Sequence, residues 1–448
     1  MATGFLKVQV FKNDSSIPID KAKITIMPTG EEAPRITQDT VNTDSSGLTD
    51  AIELNSPPPA FSERPIDKLP YSFADVQIEA EGFASQLIKG VQIYPNVTAL
   101  QNVYLEGDTG INRQRETIIV IAPNRLVGNY PAKIPEDPIK VLPPPSGQVV
   151  LPEPVVPEFV IVHSGGPNSP AQNYTVPFAD YIKNVASCEI FSTWPENTIR
   201  ANIYAIVSFT LNRIYTEWYP SREKEFDITN STAYDHAFSY GRNVYENISR
   251  VVDELFATYI RKSGVRQPLL AQYCDGVKVQ CPGWMTQWGS KYLGDQGKTP
   301  YEILTYFYGS DVNLTRAEEV EGIPRSYPGY TLEIGARGEP VITVQTYLNR
   351  ISENYPLIPK MRVDGVYGPQ TKESVKVFQE IFGLSPTGNV DYSTWYKISQ
   401  IYVGVTKIAE LRSTIPHREQ KSFYPPMTFD GFDSEDVPQI NYWDDTQI

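Results

Sequence analysis

The sequence predicts a multidomain α+β protein with a β-sandwich first, an α+β domain in the centre and a small three-helix module last. Three observations carry this. The first hundred residues alternate apolar and polar with period two, nine prolines crowd residues 131–157, and the chain beyond them turns to apolar residues at helical spacing. At about 150 residues per domain, 448 residues make room for three.

Phe5 to Phe11 and Ala22 to Ile26 alternate as half-buried strands, Thr43 to Thr49 supplies turn chemistry, and Val76 to Gly82 resumes the alternation. Several short strands separated by turns make a sandwich of residues 1–110. Residues 111–157 read as a linker. Proline fixes φ and removes a donor, so Pro143-Pro-Pro145, Pro152, Pro154 and Pro157 hold the chain extended and exposed, where proteases cut. Helices are expected over Tyr181–Ile190, Asn197–Tyr215, Val244–Arg261 and Thr299–Tyr308; in the second, Ile199, Ile203, Ile206, Val207, Leu211 and Ile214 share a face. The central domain spans 158–325 and the last domain 328–411. In 412–448, the stretch from Phe429 onward carries six acids and no Lys or Arg, and the segment reads as an acidic tail.

Lys plus Arg number 39 and Asp plus Glu 53, a net charge of −14, which argues against nucleic acid as partner because phosphate binding needs a basic surface. An apolar share of 40% excludes wholesale disorder. No apolar run approaches the roughly 20 residues of a membrane span. The first ten residues lack the basic segment and long apolar run of a secretory signal. Cys188, Cys274 and Cys281 are an odd count, which argues against a disulfide framework.

Three groups of residues resemble known families. Val8-x-Val10, Pro18-Ile-Asp-x-Ala-x-Ile-Thr-Ile26 and Thr43-Asp-Ser-Ser-Gly47 resemble transthyretin-like regulatory modules. Arg337-Gly338, Gln345, Leu348, Asp364-Gly-x-Tyr-Gly-Pro-x-Thr371, Val377-Phe-Gln379 and Thr387-Gly388 resemble the peptidoglycan-binding type 1 module. There the glycines allow a tight turn and Pro369 opens a helix. Gln345, Asp364, Tyr367 and Gln379 are its candidate contacts, with the two glutamines offering amides to acetamido sugars or stem peptides; the plain alternative is that these residues shape the turn and cap the helix. Asp180 to Ile190 with Trp194-Pro195, Thr232-Ala-Tyr-Asp235, and Gly283 to Ser290 with Leu293-Gly-Asp-Gln-Gly297 resemble the catalytic domain of stage II sporulation protein D (SpoIID/LytB). Members are lytic transglycosylases that cut peptidoglycan glycan strands and leave 1,6-anhydromuramyl ends.

The order of the three units resembles the clostridial spore cortex-lytic enzymes (SleC type). That resemblance implies a spore location, storage as a proenzyme, cortex peptidoglycan as substrate, and a subtilisin-like Csp protease that activates it near Gln148-Val149. The N-terminal part is then expected to shield the site or assist folding.

Tyr181, Val185 and Glu189 fall at i, i+4 and i+8, so this carboxylate shares a helix face with apolar side chains. A carboxyl taken out of water favours its neutral form, as a general acid near neutral pH requires. Glu189 matches the family's catalytic glutamate: it protonates the glycosidic oxygen, then takes the proton of the muramyl 6-hydroxyl that attacks C1. A solvent-facing glutamate at a helix end is the alternative. Tyr204, Tyr234, Gln287 and Trp288 are candidate substrate contacts, as is Asp235, the best second carboxylate if the enzyme hydrolyses instead. Trp194 and Trp284 join Trp288 as candidate stacking surfaces, with buried packing as the alternative.

The sequence departs from the SpoIID pattern in having Asn202 and Val207 where Gln and Arg are usual, and Gln280-Cys-Pro-Gly-Trp-Met-Thr-Gln287 where a histidine is usual. No cofactor is expected. Zinc through Cys274 and Cys281 needs Cys188 or His236 nearby, since four ligands are usual. Two further functions stand beside transglycosylation: an N-acetylmuramoyl-alanine amidase, for which three scattered histidines are a poor set, and a non-catalytic wall-binding protein.

Overall fold

The computed structural model describes residues 2–13, 15–29, 39–108, 116–140 and 153–406. The N-terminal unit packs two sheets built from β1 (Ala2–Lys12), β2 (Lys23–Thr29), β3 (Asp39–Asn42), β4 (Ile52–Ser56), β5 (Ser72–Glu79), β6 (Gln86–Ile93), β7 (Thr98–Leu105) and β8 (Thr117–Val120). One sheet orders β3-β2-β5-β6-β8; in the other, β1 lies between antiparallel β4 and parallel β7. The predicted alternation is the reason. Leu6, Val8 and Val10 of β1 and Ile24, Ile78 and Ile88 across the facing sheet are fully buried, so each strand gives one face to a shared core.

The central unit contains β9 (Phe159–His163), β10 (Asn173–Pro177), α1 (Phe178–Glu189), α2 (Glu196–Tyr215), β11 (Ile228–Thr229), β12 (Val244–Tyr245), α3 (Glu246–Leu255), β13 (Thr258–Lys262), β14 (Tyr273–Cys274), β15 (Met285–Thr286), α4 (Gln287–Asp295), α5 (Pro300–Tyr308) and β16 (Val312–Arg316). Helix α2 is buried on nearly every face and forms the hub. Thr299 caps α5 in a reciprocal capping box with Glu302. The single helix expected over Val244–Arg261 is instead β12, then α3, then β13. The β-branched and aromatic run Thr258-Tyr-Ile260 pairs with β16 rather than continuing the helix.

Two boundaries differ from expectation. Strand β12 adds to the edge of the N-terminal sheet beside β7, Val244 opposite Leu100, so the first two units share a sheet. And the linker is not exposed throughout. Residues 121–140 form a strap along the central unit, where Ile134 N donates to Ala233 O, Glu136 N to the Gln272 side chain and Lys140 N to the Gln267 side chain. Proline prevents regular structure, but an extended chain still satisfies its amides on side chains of a neighbour. Residues 141–152, with Gln148 and Val149, lie outside the described residues, as does 407–448.

The last unit has three helices, α6 (Glu339–Ile351), α7 (Pro369–Ile381) and α8 (Tyr392–Thr406). It is fastened to both others. Lys183 of α1 and Lys397 of α8 share Asp253 of α3 at 2.7 and 3.6 Å, and Tyr355 donates to Ser16 O of the sandwich at 2.7 Å.

Asp235 is wholly buried. Its Oδ1 accepts from Arg213 Nε at 2.7 Å, and its Oδ2 accepts from Tyr219, Thr229 N and Thr229 Oγ1 at 2.6 to 2.9 Å. This carboxylate belongs to the frame and has no oxygen left for a sugar, a correction to its reading as a substrate contact. Replacing Asp235 with Ala leaves the buried Arg213 with Glu136 as its one carboxylate and strands the Tyr219 and Thr229 donors, and we expect a loss of about 3–5 kcal/mol in urea unfolding.

Candidate active site

Glu189 ends α1 and is fully buried, as are Val185 and Tyr181 one and two turns earlier on the same face. Its Oε1 accepts from Ala237 N at 2.7 Å and its Oε2 from Gln287 Nε2 at 3.1 Å. Gln287 also donates to the Glu189 carbonyl at 2.9 Å, one of the orphan acceptors at a helix C-terminus. Glu189 does not face solvent.

The strap closes over this helix end. Asn124 donates through Nδ2 to Ser187 O and Ile190 O at 3.2 and 3.1 Å, and Arg125 N donates to Cys188 O at 2.8 Å. The Arg125 guanidinium then sits between two carboxylates, with Nε 3.5 Å from Glu189 Oε2 and Nη1 3.5 Å from Asp275 Oδ2. A cation at a helix C-terminus also meets the negative end of the helix dipole.

Lys133, further along the strap, donates to the Asp235 carbonyl and lies over the rings of Phe209 and Tyr273. Burial lowers its ammonium from 10.5 to about 8, partly offset by the nearby Glu189 charge. His236 is buried beside it and pushed well below the ordinary histidine value, by burial first and by Lys133 and Arg213 after it. Its Nδ1 meets Tyr181 Oη at 3.1 Å.

The other predicted contacts scatter. Gln287 joins Glu189. Trp288 is half-buried, edge-on to Trp194 at 5.1 Å, and Trp194 is covered by the sandwich, its indole donating to Ser62 O at 3.0 Å. Trp284 borders a separate small cleft with Pro138 of the strap. Tyr234 lines a cleft of about 470 Å³ with Trp218, Arg222 and Lys224, one wall of which is Ile134 and Glu136 of the strap. Tyr204 is half-buried on α2 with Arg200, Arg316 and Glu254 as its charged neighbours, none of them in the Glu189 cluster.

Cys274 and Cys281 form a disulfide, a correction to the reading from odd cysteine count. Both sulfurs are bonded, so neither serves as a zinc thiolate while the bridge stands. Among the described residues no group of three or more His, Cys, Asp or Glu is placed to hold a metal. The bridge closes the loop in which Asp275 Oδ1 accepts from Val277 N, Lys278 N and Val279 N at 2.6, 2.6 and 3.1 Å.

Arg125, Lys133 and Asp275 escaped sequence reasoning. The Asp275-Gly276 pair is a turn signal that marks the loop, but nothing local in Ala122-Pro-Asn-Arg125 announces a buried arginine.

In the last unit both glutamines are spent internally. Gln345 accepts from Asp364 N and Gly365 N at 3.1 and 2.9 Å and donates to Asp364, Val366 O and Thr371 at 3.0 to 3.1 Å. Gln379 repeats the device one helix later, accepting from Gly388 N at 2.8 Å and donating to Thr387, Asn389 O and Thr394. Tyr367 is buried and donates to Gly388 O at 2.9 Å, while Asp364 is exposed and caps Val366 N. Gln345, Gln379 and Tyr367 therefore hold the two turns, which corrects their reading as ligand contacts and leaves only Asp364 open to solvent.

Two outcomes follow. The Lys133 ammonium binds fewer protons folded than unfolded between about pH 8 and 10, so its contribution to stability rises with pH across that window. We expect the stability of the native chain relative to Lys133→Met to grow by about 1 kcal/mol per unit there, read from urea midpoints; a flat difference contradicts the placement. Gln345→Ala strands several buried partners and is expected to cost about 2–4 kcal/mol in the melting of the last unit.

Residues 337–398 match the family described as "Putative peptidoglycan binding domain". Among solved structures, the crystal structure of the SleB N-terminal domain is similar at 30% identity over 17% of this chain and 99% of that one, with a TM-score of 0.15. Comparison with curated proteins gave no match. Residues 337–398 thus form a peptidoglycan-binding domain, which supports peptidoglycan as a partner of the chain.

Proposed function

We propose that the protein is a spore cortex-lytic enzyme, held inactive until cut, that cleaves glycan strands as a lytic transglycosylase. The observation that carries this is Glu189: a single carboxyl at a helix end, removed from water, oriented by Ala237 N and the Gln287 amide, and covered by a strap that precedes a proline-rich segment. Glu189 as acid gives its proton to the glycosidic oxygen as the bond to C1 breaks. As base it then receives the proton of the same muramyl 6-hydroxyl, whose oxygen bonds to C1. Neither water nor a metal takes part, unlike the two-carboxylate glycosidases.

The strap supports the reading of an inactive form. Asn124 and Arg125 occupy the end of α1, and the sandwich covers Trp194, so a glycan strand has no path to Glu189 while residues 121–140 stay docked. A subtilisin-like protease acting between 141 and 152, for which Gln148-Val149 is the proposed site, separates the strap from the central unit in sequence. The peptidoglycan-binding domain then keeps the freed site on its polymer, and the spore cortex is the proposed location.

The test is mass analysis of cortex digested by the full chain, intact or nicked within 141–152. Nicked protein is expected to release fragments with muramyl ends lighter by one water, intact protein to release them at least tenfold more slowly, and nicked Glu189→Gln to release none. Freed stem peptides would make it an amidase, and absence of any soluble fragment would leave a binding protein. Equal rates for intact and nicked chains would remove the inactive-precursor reading.

A further inference from the structure

We propose that Asp275 is a catalytic residue that holds the positive charge of the reacting sugar, and that Arg125 occupies the place of that charge in the uncut chain. This rests on the transglycosylase reading of Glu189 given above.

Two buried arginines, Arg213 and Arg125, are held differently. Arg213 is saturated, with bonds of 2.5 to 3.0 Å to Glu136, Asp235 and the Tyr234 carbonyl. That is the short, forked geometry of a structural arginine. Arg125 is as deeply buried, yet its side chain stands 3.5 Å from each of two carboxylates, and its Nε and Nη2 make no hydrogen bond among the described residues. Glu189 and Asp275 attract its charge without matching its fork. Their arrangement suits a planar, delocalised cation with no N–H groups to satisfy.

The oxocarbenium-like state of glycosyl transfer is such a cation. As the C1–O bond breaks, its electron pair goes to the leaving oxygen, which takes the Glu189 proton, and positive charge spreads over C1 and the ring oxygen. The charge is quenched when O6 bonds to C1 and returns its proton to Glu189. Throughout, Asp275 stays an anion facing the ring.

Asp275 is also built to remain in place after the strap leaves. Its Oδ1 is fixed by three backbone amides and its loop is closed by the Cys274–Cys281 bridge, while its Oδ2 faces Arg125 Nη1 at 3.5 Å. A fixed charge aimed where charge develops costs no reorganisation during reaction, which is why such groups weigh heavily in catalysis.

The experiment compares nicked full-length protein with nicked Asp275→Asn. Asparagine keeps the Oδ1 acceptor for the three amides and removes the charge. On soluble glycan strands, with anhydromuramyl ends counted by mass, kcat should fall about 100- to 1000-fold with KM within about threefold. A strand analogue carrying a protonated iminosugar in the reacting position should inhibit the native enzyme at least tenfold more tightly than the variant. A role confined to the loop would lower the melting temperature without moving that inhibition. Should the asparagine variant melt early, Asp275→Glu decides, since it is expected to recover part of both kcat and iminosugar affinity. Unchanged kcat and unchanged inhibition in a folded variant overturn the proposal. Absence of anhydromuramyl ends from nicked native protein sinks the underlying reading, and this inference with it.

Discussion

Two cations carried by an extended strand, Arg125 and Lys133, enter a central unit that has placed Glu189, Asp275 and the Asp235 carbonyl to meet them. Charges out of water are tolerated when paired, and here each side supplies the other's counter-charge. The strap needs the carboxylates to bury its cations, and the carboxylates need the strap to stay buried. That mutual dependence explains why residues 121–140 lie in contact despite their prolines. The pairing of β12 with β7 adds a second, independent tie between the same two units.

The same constraint bears on how a cut would act. Cleavage between 141 and 152 breaks no contact of the strap itself. Asn124 would still cap α1, Gln92 would still bind Arg242 and Asn243, and Lys278 would still reach the Val127 carbonyl. Exposure of Glu189 therefore requires dissociation after cleavage, a step governed by the stability of the shared sheet and the buried pairs. Meanwhile the Asp253 cluster joins α3 to α8, so the peptidoglycan-binding domain is anchored to the central unit directly as well as to the sandwich through Tyr355.

Local patterns were legible wherever one face of an element is buried. The strands over residues 5–11 and 22–26 and helices α1, α2 and α5 appear where alternation or helical spacing placed them, because burial of one face imposes the period. The end of the helix expected over Val244–Arg261 is a strand because Tyr259 and Ile260 suit a helix face as well as a strand, and only pairing with β16 decides between them. The proline segment was read as exposed because composition reports what a backbone cannot do, not what it lies against. For Gln345 and Gln379 the sequence leaves ligand contact and turn-shaping open, because an amide in a turn motif has the same chemistry whether its partner is a sugar or its own backbone, and the structure decides for the turns.

What the sequence by itself determined is several of the strands and helices and one carboxylate on an apolar helix face at Glu189, since each depends on residues near one another in the chain. What only the tertiary structure decided is which distant groups meet that carboxylate. Arg125 lies 64 residues before it and Asp275 86 after it, and no period or motif links them. Their meeting is set by the packing of strap, α1 and the disulfide-closed loop, because attraction between charges depends on separation in space and not on separation in sequence.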